Sequence, residues 1–211
     1  MNKRCADLHY IFNNLNRFYF PFNEQLIPQN GIYILFEKGE RCNGLDRIVR
    51  IGTHTGNNQL RSRLIQHFID ENKDRSIFRK NIGRALLNMR NDDYLKVWEL
   101  DLTSKKNKQK YNSLVDKDYQ NKIEIEVSKI IQDNFSFVVF EENDKENRLF
   151  LESKIIAEIS KCSNCKPSSN WLGKYSTKEK IRESGLWQVN NLYKKGFSEQ
   201  EFIQFKNRFL Q

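Results

Sequence analysis

Gly31-Ile-Tyr-Ile-Leu-Phe-Glu37 is followed, after a polar turn carrying Gly39 and Gly44, by Arg47-Ile-Val-Arg-Ile-Gly52. Both runs are β-branched and aromatic, which suits a pleated, buried surface. A turn this short between two strands most simply joins them as an antiparallel hairpin. Thr53 to Gln59 is a loop with Gly56, Asn57 and Asn58. Leu60 to Asp70 then reads as a helix, with Leu60, Leu64 and Phe68 on one face.

Outward from this unit, Ser76 to Met89 predicts a helix interrupted or kinked near Gly83, and Tyr94 to Asp101 a short strand. Thr103 to Lys110 is a basic polar run that reads as a mobile loop. Ile123 to Asp133 predicts a helix, Phe135 to Glu141 a strand, and Asn147 to Lys161 the most periodic helix of the chain. Capping-box patterns at Ser176/Glu179 and Ser198/Glu201 open two C-terminal helices, the first ended by Ser184-Gly185. Strands and helices alternate irregularly, so the fold class is α+β. The expected architecture is a small antiparallel or mixed sheet of about three core strands flanked by helices.

The chain has 211 residues and a formal net charge of +9, from 36 Lys and Arg against 27 Asp and Glu. That excess favours a polyanionic partner and says nothing about fold. Hydrophobic residues are 38%, but 15 Phe, 8 Tyr and 3 Trp are enough to fill a core, which argues against global disorder. No apolar run reaches the length of a bilayer span, and Met1-Asn-Lys-Arg-Cys-Ala-Asp7 leads into no apolar signal region. The expected setting is therefore cytoplasmic, with no membrane partner. Four cysteines are too few for a disulfide scaffold in a chain of this size. Cys162 and Cys165 form a Cys-x-x-Cys that could be half of a zinc site, but Cys5, Cys42 and the histidines have no matching spacing, so reduced structural thiols are the favoured reading.

Glu152 lies among Leu149, Ile155, Ile156 and Ile159 on one helical face. A carboxylate there must be desolvated or must meet a cation, because a buried unpaired charge costs several kcal/mol. The plain solution is an ion pair with Arg148 one turn earlier; the sharper one is a metal ligand lining a cleft. Arg63 and His67 are four apart and share the edge of the apolar stripe. Such a guanidinium can clamp a phosphate and the imidazole can move a proton, although a solvated Arg and a backbone-bonded His would give the same spacing. Arg61 projects beyond the opposite edge, as a surface or backbone-phosphate contact.

Taken in order, Gly31-Ile-Tyr33, a strand ending Ile51-Gly52, Leu60-x-x-Arg63-Leu64-x-x-His67 and a helical Glu152 resemble the GIY-YIG nuclease family. The resemblance runs from Gly31 to about Asn170 around a large insertion. It implies a three-stranded sheet with both name motifs on it and a metal-dependent phosphodiesterase activity. By that likeness Glu152 would hold a single divalent ion, Mg²⁺ or Mn²⁺. Arg63 would stabilise charge on the phosphate, Tyr33 would position or deprotonate the attacking water, and His67 would assist. Asn170 would correspond to the family's late asparagine.

One position departs from the pattern: the second motif reads Arg50-Ile51-Gly52 where the family has Tyr. Arginine is no base at neutral pH. Either Tyr33 acts alone beside the charge of Arg50, or His54 replaces the missing base, or catalysis is lost and a nucleic-acid-binding module remains. Arg79, Lys80 and Arg84, with Arg75, Arg90 and the Lys105–Lys110 run, would neutralise phosphates along DNA. The charge suits RNA as well. The resemblance implies DNA cleavage but not the target, since the family includes restriction, homing, repair and structure-selective enzymes; the reading is a DNA endonuclease of the restriction or genome-defence kind. Cutting both strands with one site calls for a homodimer, sequential nicking or a partner. The expected organisation is a lead-in at 1–30, a nuclease domain at 31–170 with an insertion at 72–134, and a helical extension at 171–211 packed on the same domain.

Overall fold

In the computed structural model, which describes residues 3–209 and leaves Met1, Asn2, Leu210 and Gln211 outside, helix α1 (Lys3–Asn13) and a two-residue strand β1 (Phe18–Tyr19) come first. The hairpin follows as β2 (Gly31–Cys42) and β3 (Leu45–Gly52). Four helices then run as α2 (Leu60–Phe68), α3 (Ile77–Met89), α4 (Leu95–Trp98) and α5 (Lys105–Tyr111). Helix α6 (Lys117–Asn134) passes directly into β4 (Phe135–Glu141), and α7 (Lys145–Ser160) follows. The chain closes with α8 (Glu179–Ser184) and α9 (Glu199–Asn207). The sheet is antiparallel throughout, in the order β1-β4-β2-β3. The fold is α+β, one open sheet flanked by helices.

Strand periodicity divides the core into two. Ile32, Ile34 and Phe36 of β2 point to one face, where they meet α1, α7 and the Phe202 and Phe205 side chains of α9. Tyr33 and Leu35 point to the other, against Leu60, Leu64 and Phe68 of α2, Phe78 and Ile82 of α3, and Ile123, Val127 and Ile131 of α6. Truncating one of these, such as Leu64→Ala, would cost about 2–5 kcal/mol.

The α1 helix and β1 belong to the body of the fold, since α1 packs on β3 and α7 while β1 pairs with β4. Residues 171–209 do likewise: Trp171 and Trp187 are buried, and the Trp187 N–H donates to Val49 O at 2.7 Å along the outer edge of β3.

Several local expectations change. Tyr94–Asp101 has no strand to pair with among the described residues; it is a turn and the short α4, which seats a fully buried Trp98 whose indole N–H donates to Lys80 O at 3.0 Å. The α3 helix is continuous through Gly83. Glycine is there because the Trp98 ring lies against it, and an added Cβ would come within 2.3 Å of that ring. The Thr103–Lys110 run is helical from Lys105, because Lys and Gln are good helix formers and Ser104 caps the start, accepting from Asn107 N–H at 3.1 Å. Ser176 caps no helix: its hydroxyl accepts from Lys178 N–H, and α8 begins at Glu179. The capping box at Ser198 and Glu201 is present. The cysteines are not all reduced, as Cys42 and Cys165 are joined while Cys5 and Cys162 are free thiols.

Candidate active site

Tyr33 stands opposite Gly52 in the β2–β3 ladder. Its ring lies across the bare glycine, where a Cβ would fall 2.2 Å from the phenol oxygen. That contact gives the Gly of Arg-Ile-Gly its physical reason, a close approach that no side chain allows. The phenol oxygen is 2.8 Å from Nε2 of His67 on α2, and Nδ1 of His67 is 2.7 Å from Oγ of Ser76, the N-cap of α3.

The Arg50 guanidinium can only donate, and its Nε–H reaches the phenol oxygen at 3.4 Å. The phenol oxygen accepts that bond, and the neutral imidazole bridges Tyr33 and Ser76 in one of two tautomers: Tyr33 O–H to Nε2 with Nδ1–H to Ser76, or Ser76 O–H to Nδ1 with Nε2–H to Tyr33. Burial, then the positive charges of Arg50, Arg63 and Arg79, push the pKa of His67 well below the usual imidazole value, so the ring is neutral.

A cavity of about 300 Å³ opens beside this relay, lined by Tyr33, Arg50, Thr53, His54, Arg63, Asn81, Glu152 and Gln188 among others. Glu152 reaches it from α7, on the far face of the sheet. The ion pair with Arg148 does not form. Arg148 instead donates to the carbonyls of Glu142, Asn143 and Gly56. The Glu152 Oε1 accepts from Thr53 N–H at 3.1 Å. Desolvation raises the Glu152 pKa, opposed by Arg50, the Thr53 N–H and Arg63. A lone hard carboxylate in the wall of this cavity fits a divalent cation that keeps most of its waters.

Arg63 lines this cavity and an adjoining one of about 400 Å³, which it shares with Thr53, His54, Thr55, Gln66 and Arg75. It is held by Gln66 Oε1 at 3.2 Å and Arg75 O at 3.1 Å. Two sequence-derived candidates touch the cavity only indirectly or with their groups engaged. His67 is fully buried and reaches the space through Tyr33. His54 lines it, but its Nε2 accepts from Gly31 N–H at 3.4 Å and its Nδ1 donates to Gly56 O at 2.8 Å. Burial and the charge of Arg148 lower its pKa.

Other candidates lie elsewhere. Asn170 is exposed outside the cavity, beside Ser168, which binds Glu40 near the opposite end of β2. Arg61 donates to the backbone oxygens of Ile27 and Gln25. Arg79, Lys80 and Arg84 are buried, contrary to the expectation of a phosphate-facing row. Arg79 pairs with Glu124 through both Nε and Nη2, Lys80 donates to the carbonyls of Glu99 and Leu100, and Arg84 forks onto the Glu99 carboxylate. Burial makes each cation seek an internal acceptor.

Pattern reading also missed residues. Ser76 orients His67. Gln188 accepts from Ile51 N–H at 2.9 Å and forms one wall. Asn81 lines the cavity while almost wholly buried; its Oδ1 accepts from Arg84 but its Nδ2 has no partner. Ser76 carries a helix-start signal but none for its bond to His67, and the cavity positions of Asn81 and Gln188 arise only when separate segments pack together.

A small antiparallel sheet carries Tyr33 and Arg50, a following helix carries Arg63 and His67, and a remote helix carries Glu152. The GIY-YIG domain profile matches residues 12–209. The chain belongs to the GIY-YIG nuclease family, whose members are generally endonucleases. The match includes α1 residues and the C-terminal segment as well as the hairpin. Neither the curated proteins nor the solved structures hold a match to this chain. No helix among the described residues is long and apolar enough to cross a membrane.

Proposed function

We propose that this protein is a divalent-metal-dependent DNA endonuclease that hydrolyses phosphodiester bonds. The observation that carries the reading is that Tyr33, Arg50, Arg63 and Glu152 line one cavity although they come from four separate elements of the chain. A phosphodiester resists hydrolysis because an anion must be attacked and an alkoxide must leave, so positive charge aimed at the phosphate is the main requirement. Glu152 would hold the ion, Mg²⁺ or Mn²⁺, with water completing its shell; the ion supplies charge neutralisation at the phosphate and the leaving oxygen.

The protein's own groups do the rest. Arg63 clamps a non-bridging phosphate oxygen. Tyr33 accepts a hydrogen bond from the attacking water and orients it in line, its phenol oxygen held at 2.8 Å from the neutral His67. Arg50, standing where the family has its second tyrosine, anchors the phenol oxygen and adds charge to the site without acting as a base. The engaged nitrogens of His54 favour Tyr33 over His54 as the group that serves the water.

The adjoining polar trough continues past Arg75, and Arg75 also lines a further cavity with Lys108. The exposed Arg75 beside Arg63 in the polar trough supports a nucleic-acid backbone as the ligand. Within the endonuclease family that the domain defines, the role proposed for the cleavage is restriction or genome defence. A plasmid-nicking assay with Mg²⁺ or Mn²⁺ tests the reading on the wild type, Glu152→Ala and Arg63→Ala. Cutting by wild type and its loss in both variants is expected. DNA binding without cutting would favour the alternative, a catalytically impaired binding module in which Arg50 marks the lost tyrosine.

A further inference from the structure

All four cysteines of the chain lie in the core cluster on the sheet face opposite Tyr33, Cys42 being joined to the other three through Cys165. Cys5 comes from α1, Cys42 ends β2, and Cys162 and Cys165 follow the C-terminus of α7. All are buried. The ligand atoms of Cys5, Cys162 and Cys165 lie within 4.8 Å of one another, as do those of His9, Cys42 and Cys165. The Cys5 and Cys165 sulfurs are 3.5 Å apart. Four sulfurs at about 2.3 Å from a tetrahedral zinc stand about 3.8 Å from each other.

His9 is a neighbour and not a ligand. Its Nδ1 donates to Cys5 O at 2.9 Å and its Nε2 accepts from Ile48 N–H at 3.2 Å, so both ring nitrogens are taken. A Cys42–Cys165 bond engages two of the four sulfurs and leaves two thiols enclosed beside it. A metal engages all four, and Cys162-x-x-Cys165 has the spacing of one half of a tetrathiolate site.

We propose that in its reduced state this chain binds one Zn²⁺ through Cys5, Cys42, Cys162 and Cys165, as a closed structural site that ties α1, the end of β2 and the end of α7 together. Binding expels four thiol protons to solvent. The site and the disulfide exclude each other. A phosphine reductant opens the Cys42–Cys165 bond, giving two thiols and, with the oxygen of one water, the phosphine oxide. The zinc would sit about 15 Å along α7 from Glu152, so it positions that helix and takes no part in the nuclease cavity. The proposal stands apart from the nuclease reading.

The test uses the full chain, reduced with a phosphine, freed of metal and titrated with Co²⁺ and then Zn²⁺. The expected result is one equivalent of Co²⁺, with thiolate charge-transfer absorption in the near ultraviolet and the visible bands of a tetrahedral ion, both erased by one equivalent of Zn²⁺. The bands are lost in Cys162→Ser and Cys42→Ser and kept in His9→Gln and Glu152→Ala. Reduced wild-type protein showing four titratable thiols but no tetrahedral cobalt spectrum overturns the proposal, whatever the variants do. Loss of the spectrum in Glu152→Ala would also overturn it by placing the ion in the nuclease cavity. Retention in Cys42→Ser with loss in His9→Gln would overturn the four-cysteine set.

Discussion

The phenol oxygen of Tyr33 and Nε2 of His67 are 2.8 Å apart across the space between β2 and α2. That one bond joins the first name motif to the helix that carries Arg63, and it places His67 behind the cavity wall. Tyr33→Phe removes the oxygen held by both His67 and Arg50. Its nicking rate with Mg²⁺ should fall by about 10²–10⁴-fold, while urea unfolding shows a loss of no more than about 1–3 kcal/mol. Unchanged nicking would take Tyr33 out of the chemistry.

Arg79 and Glu124 form an internal pair, with Nη2 also donating to Ser128 Oγ and the Glu124 carbonyl. Burial raises the Glu124 pKa against the pull of Arg79 and Lys73. Replacing one partner strands the other in a medium that cannot solvate it. Arg79→Met should therefore cost about 3–5 kcal/mol of unfolding free energy, read from denaturant curves. A surface phosphate contact would leave stability unmoved and lower DNA affinity alone.

Arg75 and Lys108 are exposed and lie along the trough that leaves the site. Each charge that neutralises a phosphate adds close to one counterion to the salt dependence of binding. In fluorescence titrations with duplex DNA across a salt series, Arg75→Ala and Lys108→Ala should each lower the log–log slope by about 1. Slopes equal to wild type would move the DNA track elsewhere.

Glu37 receives both buried indole N–H groups on one oxygen, from Trp171 and Trp187 at 2.8 Å each. Burial nevertheless dominates and pushes its pKa up to about 7 from an ordinary 4.5. The folded state thus holds a proton that the unfolded chain releases between those values. The contribution is fully present below pH 4.5 and is lost as pH rises toward 7. Urea unfolding should show up to about 3 kcal/mol of decline across that window, and Glu37→Gln should flatten it. An equal slope in the variant would assign the pH dependence to other groups.

Asn81 offers an unpartnered amide to the cavity. Asn81→Ala should weaken substrate binding by about tenfold, the equivalent of about one hydrogen bond to a charged oxygen, measured as the midpoint of DNA binding with Ca²⁺ in place of Mg²⁺. No change in that midpoint would make the side chain a partner of Arg84 alone.

Much of this protein is written locally. The alternation of Ile32, Tyr33, Ile34, Leu35 and Phe36 dictates a two-sided strand, and Leu60, Leu64 and Phe68 dictate the face on which α2 packs, so Arg63 and His67 at its edge follow. The order of the motifs with Glu152 far downstream was legible too. Tyr94–Asp101 was misread because a short apolar run has no intrinsic preference strong enough to outweigh burial of Trp98 against Gly83.

The tertiary structure alone decided which charges face solvent and which sulfurs meet. Arg75 and Arg79 are four apart in the chain, yet one is exposed and the other lies sealed against Glu124, and Cys5 touches Cys165 across nearly the whole sequence. Hydrophobic periodicity is a property of neighbouring residues and can be counted along the chain. The partner of a charge, an amide or a thiol is chosen by whatever distant segment packs opposite it, and that choice exists only after the two core clusters have closed.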